Sequence, residues 1–313
     1  MTGATPPRFW AHRLAVATVV ATAVLIFMGG LVTNTGSGLA VPDWPTTFGQ
    51  NMFLYPPSQW VGGILYEHSH RLLGALVGLL TVALTVALWG DAPRPRGWLR
   101  WVGLLAVAAV IGQGVLGGLR VVLLRQTLAV IHSIVAQAFF ALVVALAVWT
   151  SKGWEGAKRG RALANVKGLR RLCTATSGLL ILQMAAGVLV THTGAALHAH
   201  LALAALAALQ ALWLVARVLG RHWDQPWLVR PARALAELLV LQLLLGVGAY
   251  LARFTALGAG MAPWLGLAFP LAHRLVGTLL WGTSLVLALR VCRLHALPRA
   301  AAEIAAPIWQ EAR

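Results

Sequence analysis

Eight runs of mostly apolar residues, separated by short polar breaks, dominate the chain, near 14–33, 68–89, 101–120, 128–150, 172–192, 198–218, 234–252 and 270–291. A helix of about 20 apolar residues spans the hydrocarbon core of a bilayer, so the pattern predicts an all-α membrane protein with eight transmembrane helices. The first run is longer than a signal-peptide core and its flank lacks an obvious cleavage site, which predicts that it is retained. With an even number of spans, both termini lie on one side.

Composition agrees with a lipid-embedded chain. Of 313 residues, 59% are hydrophobic and only 11% charged, whereas soluble domains carry about 25% charged residues. The formal net charge of +17, from 25 Lys and Arg against 8 Asp and Glu, invites a nucleic-acid reading that depends on where the basic residues lie. Arg8, Arg13, Arg94, Arg96, Arg100, Lys152, Lys158, Arg159, Arg161, Lys167, Arg170, Arg171, Arg217, Arg221, Arg230, Arg233, Arg290, Arg293, Arg299 and Arg313 fall on the side of the termini. Arg71, Arg120, Arg125, Arg253 and Arg274 fall on the other. That asymmetry follows the positive-inside rule, so the termini are expected in the cytoplasm of a multi-pass protein of the cell inner membrane, and nucleic acid is excluded as a partner. Cys173 and Cys292 are too few and too distant in sequence for a disulfide framework or a CxxC metal site.

The two halves resemble each other. Leu31-Val32-Thr33-Asn34-Thr35-Gly36 ends the first run, and Leu189-Val190-Thr191-His192-Thr193-Gly194 ends the fifth. Gln-x-x-Leu-Gly occurs at Gln113 to Gly117 and at Gln242 to Gly246, and His-Arg-Leu-x-Gly at His70 to Gly74 and at His273 to Gly277. The repeat predicts two pseudo-symmetric four-helix bundles, residues 1–151 and 172–313, joined by a cytoplasmic linker at 152–171. Small residues such as Gly112, Gly117, Gly246 and Gly248 allow close helix packing and also make room for a flat ligand.

Of the ten histidines, His12, His222 and His295 fall in cytoplasmic flanks and read as solvated surface residues. The other seven lie at outer ends of spans. His68 and His70 open the second, His132 lies near the start of the fourth, His192 closes the fifth, His198 and His200 open the sixth, and His273 opens the eighth. Ionisable groups at that depth are costly unless paired, coordinated or wet. Facing imidazoles on four helices at one depth suit bis-histidine haem ligation, and a zinc site is less natural with only Glu67 and Asp43 as outer carboxylates. Glu67, His70 and Arg71 share one helix face, which makes Glu67 a candidate catalytic group and leaves an interfacial Glu67–Arg71 pair as the bland alternative. Arg71, Arg120, Arg125 and Arg274 are candidate contacts for haem propionates or for lipid headgroups.

The first outer loop reads Thr35-Gly36-Ser37-Gly38-Leu39-Ala40-Val41-Pro42-Asp43-Trp44-Pro45, followed by Glu67-His68-Ser69-His70-Arg71. This resembles the haem A synthase family, whose members carry a TGSGL-x-x-PDWP loop and an ExxHR motif; the resemblance extends over all eight spans. It implies a membrane oxidoreductase of haem A biosynthesis that converts the C8 methyl group of haem O to a formyl group, giving haem A for terminal oxidases. By the same resemblance, His70 and His132 would bracket substrate haem O, while His273 with His200 or His198 would ligate a haem b cofactor. Partners implied are haem O synthase, an oxidase assembly factor and membrane lipid. The alternatives are a bis-histidine di-haem cytochrome b for electron transfer and a haem carrier or chaperone. One departure concerns a cysteine pair that many bacterial relatives hold in this loop; the position directly before the PDWP sequence is Val41 here. A thiol route for electrons through that loop is therefore not expected.

Overall fold

The computed structural model describes residues 9–90, 97–156 and 166–295. The basic positions Arg8, Arg94, Arg96, Lys158, Arg159, Arg161, Arg299 and Arg313 lie outside these residues. Eight helices are long and apolar enough to cross a membrane, which makes this a multi-pass membrane protein: α1 (Phe9–Asn34), α2 (Gly63–Gly90), α3 (Trp98–Val122), α4 (Gln126–Trp149), α5 (Val166–Thr193), α6 (Leu197–Arg221), α7 (Pro226–Phe254) and α8 (Pro263–His295). A short helix, Lys152–Gly156, follows α4, and no strand occurs among the described residues. In lipid every backbone N–H and C=O must be satisfied internally, and an uninterrupted helix does this.

The helices begin earlier than their apolar runs. Helix α2 starts at Gly63 rather than near 68, α5 at Val166 within the stretch expected as a linker, α7 at Pro226 and α8 at Pro263. Hydrophobicity marks only the part of a helix that meets hydrocarbon, while its hydrogen-bond ladder continues through the interface. At α7 the start is set by Pro226, whose missing N–H is harmless in the first turn. For α2 the extra turn brings Glu67 inside the helix and places His68, His70 and Arg71 beyond its first turn rather than at its start.

Each half closes into a ring of contacts: α1–α2–α3–α4–α1 and α5–α6–α7–α8–α5. The halves meet through α1 with α8, α4 with α5 and α4 with α8. Exchanging α1–α4 for α5–α8 maps this pattern onto itself. Leu84, Leu99, Phe139 and Leu146 are buried within the first ring, and Leu169, Leu214, Leu228, Leu235 and Leu287 within the second. At the seam, Phe140 of α4 packs where a Cβ on Gly282 would meet its ring at 2.9 Å, and Gln137 donates to the Thr278 hydroxyl at 3.3 Å. Lipid gives helices little hydrophobic incentive to associate, so such close contacts and interhelical hydrogen bonds hold the seam.

Two flanking histidines differ from their expected solvated state. His12 Nδ1 lies 3.1 Å from the Ala147 carbonyl, and His222 is 6% exposed. For His12 the neighbouring carbonyl supplies the hydrogen-bond partner that a part-buried imidazole needs in place of water. The side chain of His295 lies outside the described residues.

Candidate functional site

Four histidines near one end of the bundle are held in the same way. A Cβ built on Gly29 would meet His70 Cε1 at 3.0 Å; on Gly117, His132 Cε1 at 3.2 Å; on Gly187, His200 Cε1 at 3.0 Å; and on Gly246, His273 Cε1 at 3.0 Å. Each imidazole of an even helix therefore presents its Cε1 edge to a glycine of the odd helix before it. One turn earlier on each odd helix stand Leu25, Gln113, Gln183 and Gln242.

Gln183 and Gln242 orient the rings they face. His200 Nδ1 lies 3.2 Å from the Gln183 carbonyl oxygen and His273 Nδ1 3.2 Å from that of Gln242. A carbonyl only accepts, so the proton sits on Nδ1 and each Nε2 lone pair is left available. The Gln242 carboxamide nitrogen lies 3.2 Å from His273 Nε2, where it can donate to that lone pair, whereas that of Gln183 sits between the two ring nitrogens of His200, 3.1 Å from Nδ1 and 3.3 Å from Nε2. Carbonyls of Leu25 and Gln113 lie beside His70 and His132, but neither Nδ1 closes a hydrogen bond of ordinary geometry. The Oε1 atoms of Gln113, Gln183 and Gln242 are buried without a partner.

The sequence left His198 and His200 as alternatives, and the two face differently. His198 is exposed, whereas the His200 and His273 rings are 6.2 Å apart between centroids with an interplanar angle of 76°. His70 and His132 lie within electrostatic reach of each other and of Arg120. Arg120 itself donates to the Gly38 carbonyl at 2.9 Å. Arg274 packs its side chain on Gly30 of α1, between the halves, near His192. His192 Nε2 lies 3.0 Å from Ser133 Oγ, and its carbonyl accepts from Gln126. Arg125 is exposed at the start of α4, apart from both pairs.

Glu67 is 2% exposed, and both of its oxygens are engaged. Oε2 accepts from the Val41 N–H at 2.9 Å, and Oε1 accepts from Arg71 Nη2 at 3.0 Å. Arg71 also donates to the carbonyls of Val41 (2.8 Å), Asp43 (2.6 Å) and Thr46 (3.0 Å). The pair thus clamps the backbone of the first outer loop onto α2, a geometry closer to the bland alternative than to a free catalytic carboxylate. Trp44 closes the same face, its indole lying where a Cβ on Gly118 would come within 2.2 Å. His68 points away from His70, as their spacing on the helix requires. It is fully buried, 3.2 Å from Thr47 Oγ1 and packed by Tyr55 and Trp60.

Asp43 shapes the tip of this loop. It accepts from the Phe48 and Gly49 N–H groups, both at 2.8 Å, and from the Thr46 hydroxyl. Slight burial pushes its carboxyl up, but these donors outweigh burial and hold it below the usual carboxylate range. A depressed folded-state value means that its contribution is present at neutral pH and is lost as pH falls through that value. Protection of the Phe48 and Gly49 amides, relative to their intrinsic exchange rates, is therefore expected to fall only in acid and to be low already at neutral pH in Asp43→Asn; identical protection factors in both proteins would contradict this role.

The residues fit a haem. Metal–imidazole bonds are about 2.0–2.1 Å, and half the 6.2 Å ring separation is one such bond plus the distance from a ring nitrogen to its centre. The glycines make room for the Cε1 edge of each ring. Among the described residues no group of three or more His, Cys, Asp or Glu is arranged to hold a metal ion.

The fold and site define a polytopic membrane protein with paired histidines on adjacent four-helix rings. The family model described as cytochrome oxidase assembly protein matches residues 12–309, and the chain belongs to that family. It is similar to Heme A synthase of Shouchella clausii, 35% identical over 136 residues, covering 43% of this chain and 44% of that protein. Heme A synthase of Halalkalibacterium halodurans is 29% identical over 185 residues, 58% of this chain and 59% of the relative. Protoheme IX farnesyltransferase 1 of Natronomonas pharaonis is 33% identical over 133 residues, 42% of this chain and 26% of that protein. The aligned regions span about half the length of the Heme A synthase relatives.

Proposed function

We propose that this protein is an oxidoreductase that oxidises the C8 methyl group of haem O to a formyl group, giving haem A for terminal oxidases. The fourfold arrangement of imidazole on glycine carries the reading, and the names of its relatives give the chemistry. Residues 1–151 would form the substrate bundle, with His70 and His132 on either side of haem O. Residues 172–313 would form the cofactor bundle, with His200 and His273 as ligands of haem b and residues 152–171 as the connection. A bound haem b would supply one-electron transfer, carrying electrons away from the substrate site.

The chain's own part is binding and orientation. Backbone carbonyls fix the protons on His200 and His273 Nδ1, so that Nε2 would be the ligand atom, and the Gln242 amide lies against that lone pair on His273. Glu67 acts near the reacting centre chiefly by fixing the loop over the substrate bundle, together with Arg71 and Trp44. Arg120 and Arg274 are placed to meet propionates; Arg125 is placed to meet lipid headgroups. With water as the source of the formyl oxygen, conversion of the methyl group (R–CH3 + H2O → R–CHO + 4 H+ + 4 e−) releases the protons of water together with two hydrogens of the methyl group, and an external electron acceptor would take up the electrons. The basic end of the bundle, with both termini, would face the cytoplasm, and the histidine end the outer side of the cell inner membrane. Haem O synthase is the natural upstream partner, and similarity to a farnesyltransferase of protohaem fits that assignment.

The test is pigment analysis. Co-expressed with a haem O synthase, the protein is expected to yield haem A and its hydroxymethyl precursor on extraction. Bis-histidine haem with neither product would instead establish an electron-transfer cytochrome, and weakly bound unmodified haem O would indicate a carrier.

A further inference from the structure

At the end of the bundle opposite the histidines, two grooves open between helices of the second ring. One, of about 630 Å³, lies between α7 and α8 with Arg230 and Arg290 at its rim. There Arg290 already donates to the Trp227 carbonyl at 2.6 Å and stacks over the Trp227 ring. The other, of about 490 Å³, lies between α5 and α6 and is lined by Arg171, Ala175, Leu206, Leu209, Trp213 and Arg217. Its arginines differ from Arg290: the Arg217 Nε atom is buried with no hydrogen-bond partner, and no described carboxylate forms an ion pair with either Arg171 or Arg217. A guanidinium N–H buried without an acceptor is costly, and the cost is relieved by a ligand that brings an anionic oxygen.

We propose that this groove binds one anionic phospholipid, its phosphodiester between Arg171 and Arg217 and an acyl chain along Leu206, Leu209 and Ala175. The charge lies at one end of the groove because Arg171 stands near the start of α5 and Arg217 near the end of α6. Toward the membrane centre the walls are apolar, and Leu206, Leu209 and Trp213 are 53%, 67% and 61% exposed. In a bilayer that exposure is toward lipid. Trp213 suits the boundary, with a large apolar ring and an N–H for a headgroup or glycerol oxygen. Basic pockets between helices at the cytoplasmic level are suited to anionic headgroups, and the acyl wall separates a lipid from a free anion. The site is independent of haem chemistry.

The purified full-length protein, delipidated and returned to phosphatidylcholine nanodiscs containing a minor fraction of phosphatidylglycerol, is expected to retain phosphatidylglycerol preferentially by native mass spectrometry. Each arginine near an anionic surface strengthens binding roughly fivefold, so Arg171→Gln with Arg217→Gln should lower retention by about 25-fold. Arg233→Gln, on the exposed face of α7, should not change it. Ala175→Trp fills the apolar wall and leaves both arginines, so it too should abolish retention, and it keeps the test valid if the double variant fails to fold. Inorganic phosphate at millimolar concentration should not compete. Wild-type retention in both the double variant and Ala175→Trp would overturn the proposal, and so would full competition by phosphate, which would make the site one for a free anion.

Discussion

Replacing His200 with alanine is expected to remove the low-spin haem spectrum of the second ring, and replacing His198 is expected to leave it intact. The two residues are neighbours in Leu197-His198-Ala199-His200, but only His200 faces His273, with its ring on Gly187 and its Nδ1–H on the Gln183 carbonyl. His273→Ala should match His200→Ala, because loss of either imidazole leaves the metal with one axial ligand. Removing only the groups that orient a metal ligand typically costs 10–100-fold in affinity, so Gly246→Val, whose branched side chain must displace the His273 ring, should fall between the ligand knockouts and the parent protein. Gly220→Ala, where a Cβ meets nothing within 4 Å, is the matched control. Haem per protein and the reduced-minus-oxidised spectrum read all these variants. A full low-spin signal in His200→Ala with loss in His198→Ala would reverse the assignment.

Much of this arrangement could be read from the chain. The eight helices follow from length and apolarity alone, because lipid requires continuous helices and few other spanning forms exist. The layer of histidines was visible because ionisable residues are rare in such runs. What sequence did not reveal is which side chains meet across helices. Gln113 and Gln242 stood out through the shared Gln-x-x-Leu-Gly segment, but Gln183-Met184-Ala185-Ala186-Gly187 keeps only the glutamine and the glycine four residues later. That spacing is the structurally relevant part, since residues four apart share a helix face. Had it been sought on every odd helix, it would also have exposed the exception at α1, where Leu25 precedes Gly29 and no side-chain amide reaches His70. The helix starts differ for a related reason: the apolar pattern of α2 begins near 68, while its hydrogen-bond ladder begins five residues earlier, at Gly63.

The outer loop shows a second limit of sequence reading. Val41, directly before the PDWP sequence, is fully buried, with its N–H bound by Glu67 and its carbonyl by Arg71. Cys173 and Cys292 are both free. The loop is therefore held to α2 by a buried ion pair and main-chain hydrogen bonds, and no thiol is needed to shape it. Spacing alone placed Glu67, His70 and Arg71 on one face and favoured chemistry for the carboxylate. Which acceptors and donors fill its oxygens depended on a loop some 25 residues upstream in sequence, beyond the reach of helical periodicity.

That clamp yields the second large effect, at Arg71. Arg71→Ala is expected to destabilise the protein by about 3–5 kcal/mol, because it leaves the Glu67 charge buried without its partner and three loop carbonyls without a donor. Arg71→Lys should recover little, since a single ammonium cannot reproduce a planar fork that reaches Val41, Asp43, Thr46 and Glu67 at once. Glu67→Gln is milder, on the order of 1–3 kcal/mol: its amide oxygen can still accept from Val41 while the charge pairing is lost. Thermal unfolding measures these costs, and limited proteolysis between residues 35 and 62 reports whether the loop has come away. The same variants separate positioning from direct chemistry at Glu67. If the carboxylate works through the loop, Glu67→Gln should lose loop protection, haem O retention and conversion together, and conversion per bound haem O should stay near that of the parent. If it exchanges protons with the substrate, conversion per bound haem O should collapse while the loop stays protected. The first pattern is expected, because both oxygens of Glu67 are already spent on Val41 and Arg71.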